Sequence, residues 1–118
     1  MYGLPTTTDL SFLVGKSVEQ VCLGQYQTQV HLEHASISIE CKHVLVTTDE
    51  NRKILWERTG FPSHGISQLL GQTVLQALVI DEGILELSFS RGDRLLLFDD
   101  SDQYESFQIN SGSQNIVV

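Results

Sequence analysis

Two stretches of the chain place hydrophobic residues at helical spacing and then stop at a glycine. The spacing i, i+3, i+4 occurs twice, 56 residues apart, in the sets Leu10, Leu13, Val14 and Ile66, Leu69, Leu70. Asp9 and Ser63 precede these sets as N-terminal caps, and Gly15 and Gly71 follow them, where a left-handed residue commonly ends a helix. The pattern predicts two short helices whose apolar faces lie in the core.

The two stretches open a longer internal similarity. Residues 10–21 align without a gap with residues 66–77, and the similarity continues downstream with one inserted residue. Alternating apolar and polar residues follow in both halves and indicate strands, and the turn at Gly92 has the glycine that a positive φ angle needs. We therefore predict two pseudo-repeats, about 9–57 and 63–109, each a short helix followed by a meander of four antiparallel strands.

These elements predict a mainly β, α+β fold with one domain over residues 1–109. The two halves are expected to pack on each other as a sandwich or to close into a barrel, because antiparallel sheets must cover a face and protect their edges. The final strands of the second half, 95–98 and 104–109, are predicted to form a hairpin. Residues 110–118 are predicted to be a polar C-terminal tail, either an edge strand or disordered.

The two halves differ at the positions predicted to face outward. The first half carries polar side chains there, whereas the matched or neighbouring positions of the second half are Leu75, Leu96 and Phe98. Two explanations stay open at this point. Either the second half is the buried middle of the domain, or its outer face contacts another chain, as a partner surface or a homodimer interface.

Length and net charge limit the kinds of protein that this chain can be. The 118 residues suffice for one domain, and a net charge of −8 with only seven Lys and Arg argues against binding to a phosphate backbone. No apolar run approaches the roughly 20 residues of a membrane helix, and the N-terminus lacks the basic start of a secretory signal. We expect a cytoplasmic protein, with no nucleic-acid or membrane partner, in which Cys22 and Cys41 remain reduced.

Residues capable of metal or nucleophile chemistry do not form a recognisable site. His31, Glu33 and His34 are of metal-ligating types, but on one strand their side chains do not converge. A cysteine–histidine pair is supported by residue type alone, and the carboxylates of residues 99–102 lack the glycine and distal glutamate of a calcium loop. The sequence therefore predicts no catalytic residue, no metal site and no cofactor.

Three motifs of the second half match a known pattern. Residues 69–74, 85–95 and 104–109 read LLG..V, L.L.F..G..L and YES..I. They resemble a family of short bacterial domains of unknown function, and similar patterns are found in immunity proteins of bacterial toxin systems. The resemblance covers residues 66–109 and, more weakly, residues 10–21. It implies a bacterial, cytoplasmic setting and binding to another protein, and it implies no enzymatic activity.

Acidity and resemblance together predict a non-enzymatic, immunity-like domain whose acidic surface covers a basic protein. The candidate partner surface joins the apolar outer face, the second-half turns and one tryptophan: Trp56, Asp81, Glu82, Leu96, Phe98, Asp99, Asp100, Asp102 and Tyr104. Two alternatives remain. One is a small-ligand or metal-binding domain with its site between the halves, and the other is a homodimeric structural component.

Overall fold

In the described residues of the computed structural model of the protein, ten strands form two antiparallel sheets of five. The structure describes residues 8–24, 27–47, 52–56, 64–81, 83–99, 107–112 and 114–117; for residues 52–56, 64, 65, 114 and 117 it describes the backbone alone. The prediction of a mainly β domain is therefore confirmed.

The strands are numbered in chain order, and each sheet takes strands from both ends of the chain. Sheet one contains, in spatial order, β1 (Val18–Leu23), β2 (Thr28–Leu32), β3 (Ala35–Ile39), β9 (Phe107–Ser111) and β10 (Gln114–Val117). Sheet two contains β5 (Arg52–Trp56), β4 (His43–Val46), β8 (Arg94–Phe98), β7 (Ile84–Phe89) and β6 (Val74–Asp81).

The predicted layout of two separate meander halves is wrong. The chain leaves sheet one after β3 to form β4 and β5 in sheet two, and it leaves sheet two after β8 to form β9 and β10 in sheet one. The predicted hairpin of strands 95–98 and 104–109 therefore does not form, because β9 pairs with β3. The segment after Ile109 contains the end of β9 and the edge strand β10. Both sheets are open, so the structure is not a barrel.

Local hairpins agree with the alternating pattern. Adjacent strands pair in β2–β3, β4–β5 and β7–β8, with Val30 opposite Ile37 in the first of these. The inward positions of both sheets form one hydrophobic core, which includes Ile39 and Ile109 from sheet one and Leu45 and Leu87 from sheet two. The two sheets therefore cover each other's inner faces.

The two predicted short helices are 3-10 turns, Ser11–Leu13 and His64–Leu69. Their residues at i and i+3, Leu10 with Leu13 and Ile66 with Leu69, are buried as predicted. The residues at i+4, Val14 and Leu70, are 46% and 43% exposed, so their predicted place in the core is wrong. A 3-10 helix has 3.0 residues per turn, so position i+4 lies about 120° away from position i.

A set of reciprocal hydrogen bonds joins the segments that follow the two turns. The N–H of Gly15 donates to the carbonyl of Val74 at 2.8 Å, and the N–H of Gly71 donates to the carbonyl of Val18 at 2.9 Å. Between them the hydroxyls of Ser17 and Thr73 lie 3.2 Å apart. Both glycines have positive φ angles, +90° and +80°, a conformation that a residue with a Cβ adopts at a cost of roughly 1 kcal/mol. These bonds tie the start of β1 to the start of β6.

One buried hydroxyl has no hydrogen-bond partner among the described residues. Thr28 begins β2 on the inner face, is 1% exposed, and its Oγ1 is unsatisfied. Because valine has the same shape without the hydroxyl, Thr28→Val is expected to raise the free energy of unfolding by about 1 kcal/mol. Urea denaturation measures this gain. Thr73→Val serves as the control, because it removes a hydroxyl that has a partner and should not stabilise the protein; a loss of stability in Thr28→Val would contradict the expectation.

Candidate functional site

The outer face of sheet two carries a second, smaller hydrophobic cluster. Val44 and Val46 of β4 and Leu96 of β8 are buried, at 1%, 2% and 6% exposure, and Phe98 packs against them. The Nζ of Lys42 lies 5.3 Å from the centre of the Phe98 ring, within reach of a cation–π contact. Leu96 was predicted to belong to a partner surface, but it is covered within this chain. Phe98 is half-buried.

Exposure rises across this face towards β6. The residues Leu78, Glu86, Leu96 and Val44 are opposite one another on neighbouring strands and therefore lie on the same face. Leu96 and Val44 are buried, Glu86 is half-buried, and Leu78 on the edge strand is 45% exposed. The covered part of the face thus ends before it reaches β6.

The edge strand β6 presents three exposed hydrophobic side chains, which we name the β6 strip. Leu75, Leu78 and Ile80 are 58%, 45% and 48% exposed, and they are three of the six exposed large hydrophobic residues in the described parts of the chain. No charged residue occurs between Val74 and Ile80. Leu75 was noted from the sequence, whereas Leu78 and Ile80 were missed. The available signal was the apolar run that they form within residues 74–80.

Acidic residues lie at one end of the β6 strip. Asp81 ends β6 and is exposed, and its partner Ile84 is opposite Phe98, the last residue of β8. The backbone N–H of Asp99 donates to the carbonyl of Gly83 at 2.7 Å, which brings Asp99 to the same end of sheet two. Two of the predicted partner residues therefore lie close to the strip.

The remaining predicted partner residues do not join this group in the described structure. Trp56 is at the end of β5, at the opposite edge of sheet two from β6, and only its backbone is described. Glu82, Asp100, Asp102 and Tyr104 lie outside the described residues. In the described residues of sheet two, the exposed large hydrophobic side chains therefore lie on β6 and not on β8.

The residue types considered for metal or catalytic chemistry do not gather into a metal site in the described part of the chain. Among the residues described, no three His, Cys, Asp or Glu side chains are placed to hold a metal ion. Cys41 is buried and Cys22 half-buried, and neither forms a disulfide bond. The Nδ1–H of His43 donates to the carbonyl of Cys41 at 2.8 Å, and burial lowers the pKa of this imidazole.

Two carboxylates hold turns. Asp9 Oδ1 accepts the N–H of Ser11 at 2.9 Å, as predicted for a cap of the first turn, while Ser63 lies outside the described residues. Glu33 Oε1 accepts the N–H of Ser17 at 2.9 Å. These backbone hydrogen bonds lower the pKa of both carboxyls, because they favour the charged form. Glu33 therefore ties the β2–β3 turn to Ser17, just before the start of β1.

Comparison with known proteins gives a family and no named relative. No curated protein and no solved structure matches this chain. A protein-family model, described as a family of unknown function (DUF6188), matches residues 10–118 and so includes both sheets. Among the helices in the described residues, none is long and apolar enough to cross a membrane.

Proposed function

The chain belongs to DUF6188, a family of unknown function, over residues 10–118, and we propose that it is a non-enzymatic domain that binds another protein through the β6 strip. The observation that carries this proposal is the exposure of Leu75, Leu78 and Ile80 along one edge strand. Contiguous exposed apolar residues on a small domain favour contact with another surface, because covering them removes apolar area from water.

The contact we propose is made mainly by side chains. The β6–β7 register shifts between Val74 and Gln76 and again between Val79 and Asp81. Such bulges twist an edge strand and interrupt its row of free backbone groups, which limits the addition of a partner strand to the short regular segment between them. Leu78 lies in this regular segment and Ile80 at the second bulge, and both exposed side chains supply the apolar centre of the contact.

The partner we propose is a basic protein, as for the immunity proteins of bacterial toxin systems. Support comes from the net charge of −8 and from Asp81 and Asp99 at one end of the strip. A negative field speeds the approach of a positive partner, and salt weakens this effect, while the apolar centre sets how long the complex lasts. A bacterial, cytoplasmic setting belongs to the same proposal.

The double substitution Leu78→Lys with Ile80→Lys tests the strip. A partner isolated from the source cell is purified, and its affinity for the wild-type and variant proteins is measured by calorimetry. We expect the affinity to fall about a hundredfold or more, since hot-spot side chains contribute about 2 kcal/mol each and the new lysines repel a basic partner. The association rate of the wild-type protein is expected to fall with added salt.

Leu70→Lys is the matched control, because Leu70 is 43% exposed and the next residue, Gly71, bonds to the start of β1 and not to β6. It should bind the partner as the wild-type protein does. An equal loss of affinity in this control, or full affinity in the double variant, would rule out the strip as the binding surface. If light scattering instead shows a dimer that the double variant splits, the strip contacts a second copy of this chain and no other protein.

A further inference from the structure

The outer face of sheet one is polar and carries almost no charge. Two rows of opposed residues cross it from strand to strand. The rows are Gln20, His31, Ser36, Asn110, Asn115 and Cys22, Gln29, Ser38, Gln108. None of these nine is Asp, Glu, Lys or Arg, although the chain has 22 such residues in total. A face of amides and hydroxyls offers donors and acceptors without the field of an ion.

Part of this face is held in place by a chain of hydrogen bonds. The Nε2–H of His31 donates to Gln29 Oε1 at 3.1 Å, because an amide oxygen can only accept. The Nε2 of Gln29 donates to Gln27 Oε1 at 2.8 Å, and the Nε2 of Gln27 donates to Glu40 Oε1 at 3.3 Å. These bonds fix the side chains before any ligand arrives, which reduces the entropy that binding has to overcome.

A pocket opens beside this chain of amides. It has a volume of about 240 Å³ and is lined by Cys22, Leu23, Gly24, Gln27 and Gln29. At about 30 Å³ for each water in the liquid, the pocket has room for about eight waters, or for a group the size of one sugar ring. Each of the two amides has a second Nε2–H that the chain of hydrogen bonds does not use.

We propose that this pocket binds a neutral, hydroxyl-rich ligand, namely one ring of a carbohydrate. Hydroxyl groups both donate and accept, so they match amides that have free donors and fixed acceptors. The carboxylate of Glu40, held at the end of the amide chain, disfavours phosphates and other anions at the same place. The thiol of Cys22, which shares the outer face with Gln29, contacts the less polar side of the ring, and Leu23 also lines the pocket. The site lies on sheet one and is separate from the β6 strip.

Titration of the isotope-labelled full chain with neutral sugars tests this site. The probes are glucose, galactose, N-acetylglucosamine, maltose and cellobiose, with glucose 6-phosphate as the anionic comparison. NMR is expected to show saturable shifts of the side-chain amide signals of Gln27 and Gln29 and of the backbone signal of Cys22 for at least one neutral sugar. The dissociation constant should be on the order of 1 mM, as for a small ligand in an open pocket.

Gln29→Leu is expected to weaken this binding about tenfold, because it removes a donor in the pocket and the acceptor that holds His31. Gln68→Leu is the control, since Gln68 is exposed on the second 3-10 turn and the same change should leave binding intact. The proposal is overturned if no neutral sugar gives saturable shifts at Gln27 and Gln29. It is equally overturned if the phosphate ester binds more tightly, or if both variants lose binding alike.

Discussion

Phe107→Ala is expected to lower the free energy of unfolding by about 3–5 kcal/mol, a large part of the roughly 5–15 kcal/mol typical of such domains. Phe107 is 1% exposed and is among the largest fully buried side chains. It begins β9 and lies opposite Ile39 of β3, so it anchors the strand by which the end of the chain enters sheet one. Urea denaturation followed by circular dichroism measures the change.

Phe98→Ala is the matched control, because Phe98 is half-buried on the outer face of sheet two. The same truncation there should cost about 1 kcal/mol, since less apolar area and a smaller cavity are involved. Equal losses in the two variants would contradict the role assigned to β9.

Both proteins should unfold in a single transition, because each half of the chain contributes strands to both sheets. Two resolved transitions would contradict this arrangement.

Acidification below about pH 6.5 is expected to destabilise the protein by up to about 1.4 kcal/mol per pH unit, through His43. His43 is 1% exposed, and burial lowers the pKa of its imidazole below the ordinary value of 6.5, while the hydrogen bond to Cys41 opposes this effect. The unfolded chain therefore takes up the proton at a higher pH than the folded one. Stability is complete above pH 6.5 and is lost as the pH falls towards the folded pKa.

His43→Phe is expected to abolish this pH dependence of the free energy of unfolding between pH 7.5 and about pH 5. Urea denaturation at several pH values measures it. Phenylalanine suits the position, because it has a planar ring that does not titrate and His43 is 1% exposed. The pKa values of Asp9 and Glu33 are lowered from 3.8 and 4.5, so the stability they contribute is lost only at more acidic pH. The control His34→Asn changes a histidine in an exposed turn and should keep the pH dependence of stability. If that pH dependence persists in His43→Phe, it arises from another group.

Local structure could be predicted from the sequence because its determinants are local. The hairpin β2–β3 follows from alternation of polar and apolar residues over a few positions, and the positive φ angles of Gly15, Gly71 and Gly92 follow from their places after helical turns and in a hairpin. Which strand lies beside which was not predictable. Two of the strand pairs, β3 with β9 and β4 with β8, join segments that are far apart in the chain. Alternation of polar and apolar residues alone does not distinguish one partner strand from another.

The candidate surface was predictable only in part, for a related reason. A nearly continuous apolar run such as residues 74–80 is typical of a strand covered on both faces. The structure places it at an edge, where Leu78 and Ile80 remain exposed. Leu96, which belongs to a similar apolar run, is buried in a cluster with Val44 and Val46 of the neighbouring strand β4. The residue types on this face can be read from the sequence, but the order of the strands determines which of those residues are exposed.

The position of β9 affects how the protein is made on the ribosome. β9 lies between β3 and β10, so the residues that complete sheet one are translated after the other eight strands. Until they emerge, β3 has a free edge that can pair with other nascent chains. Sheet one is therefore completed only after β9 and β10 have emerged, and a chain that stops before Phe107 would lack two of its five strands.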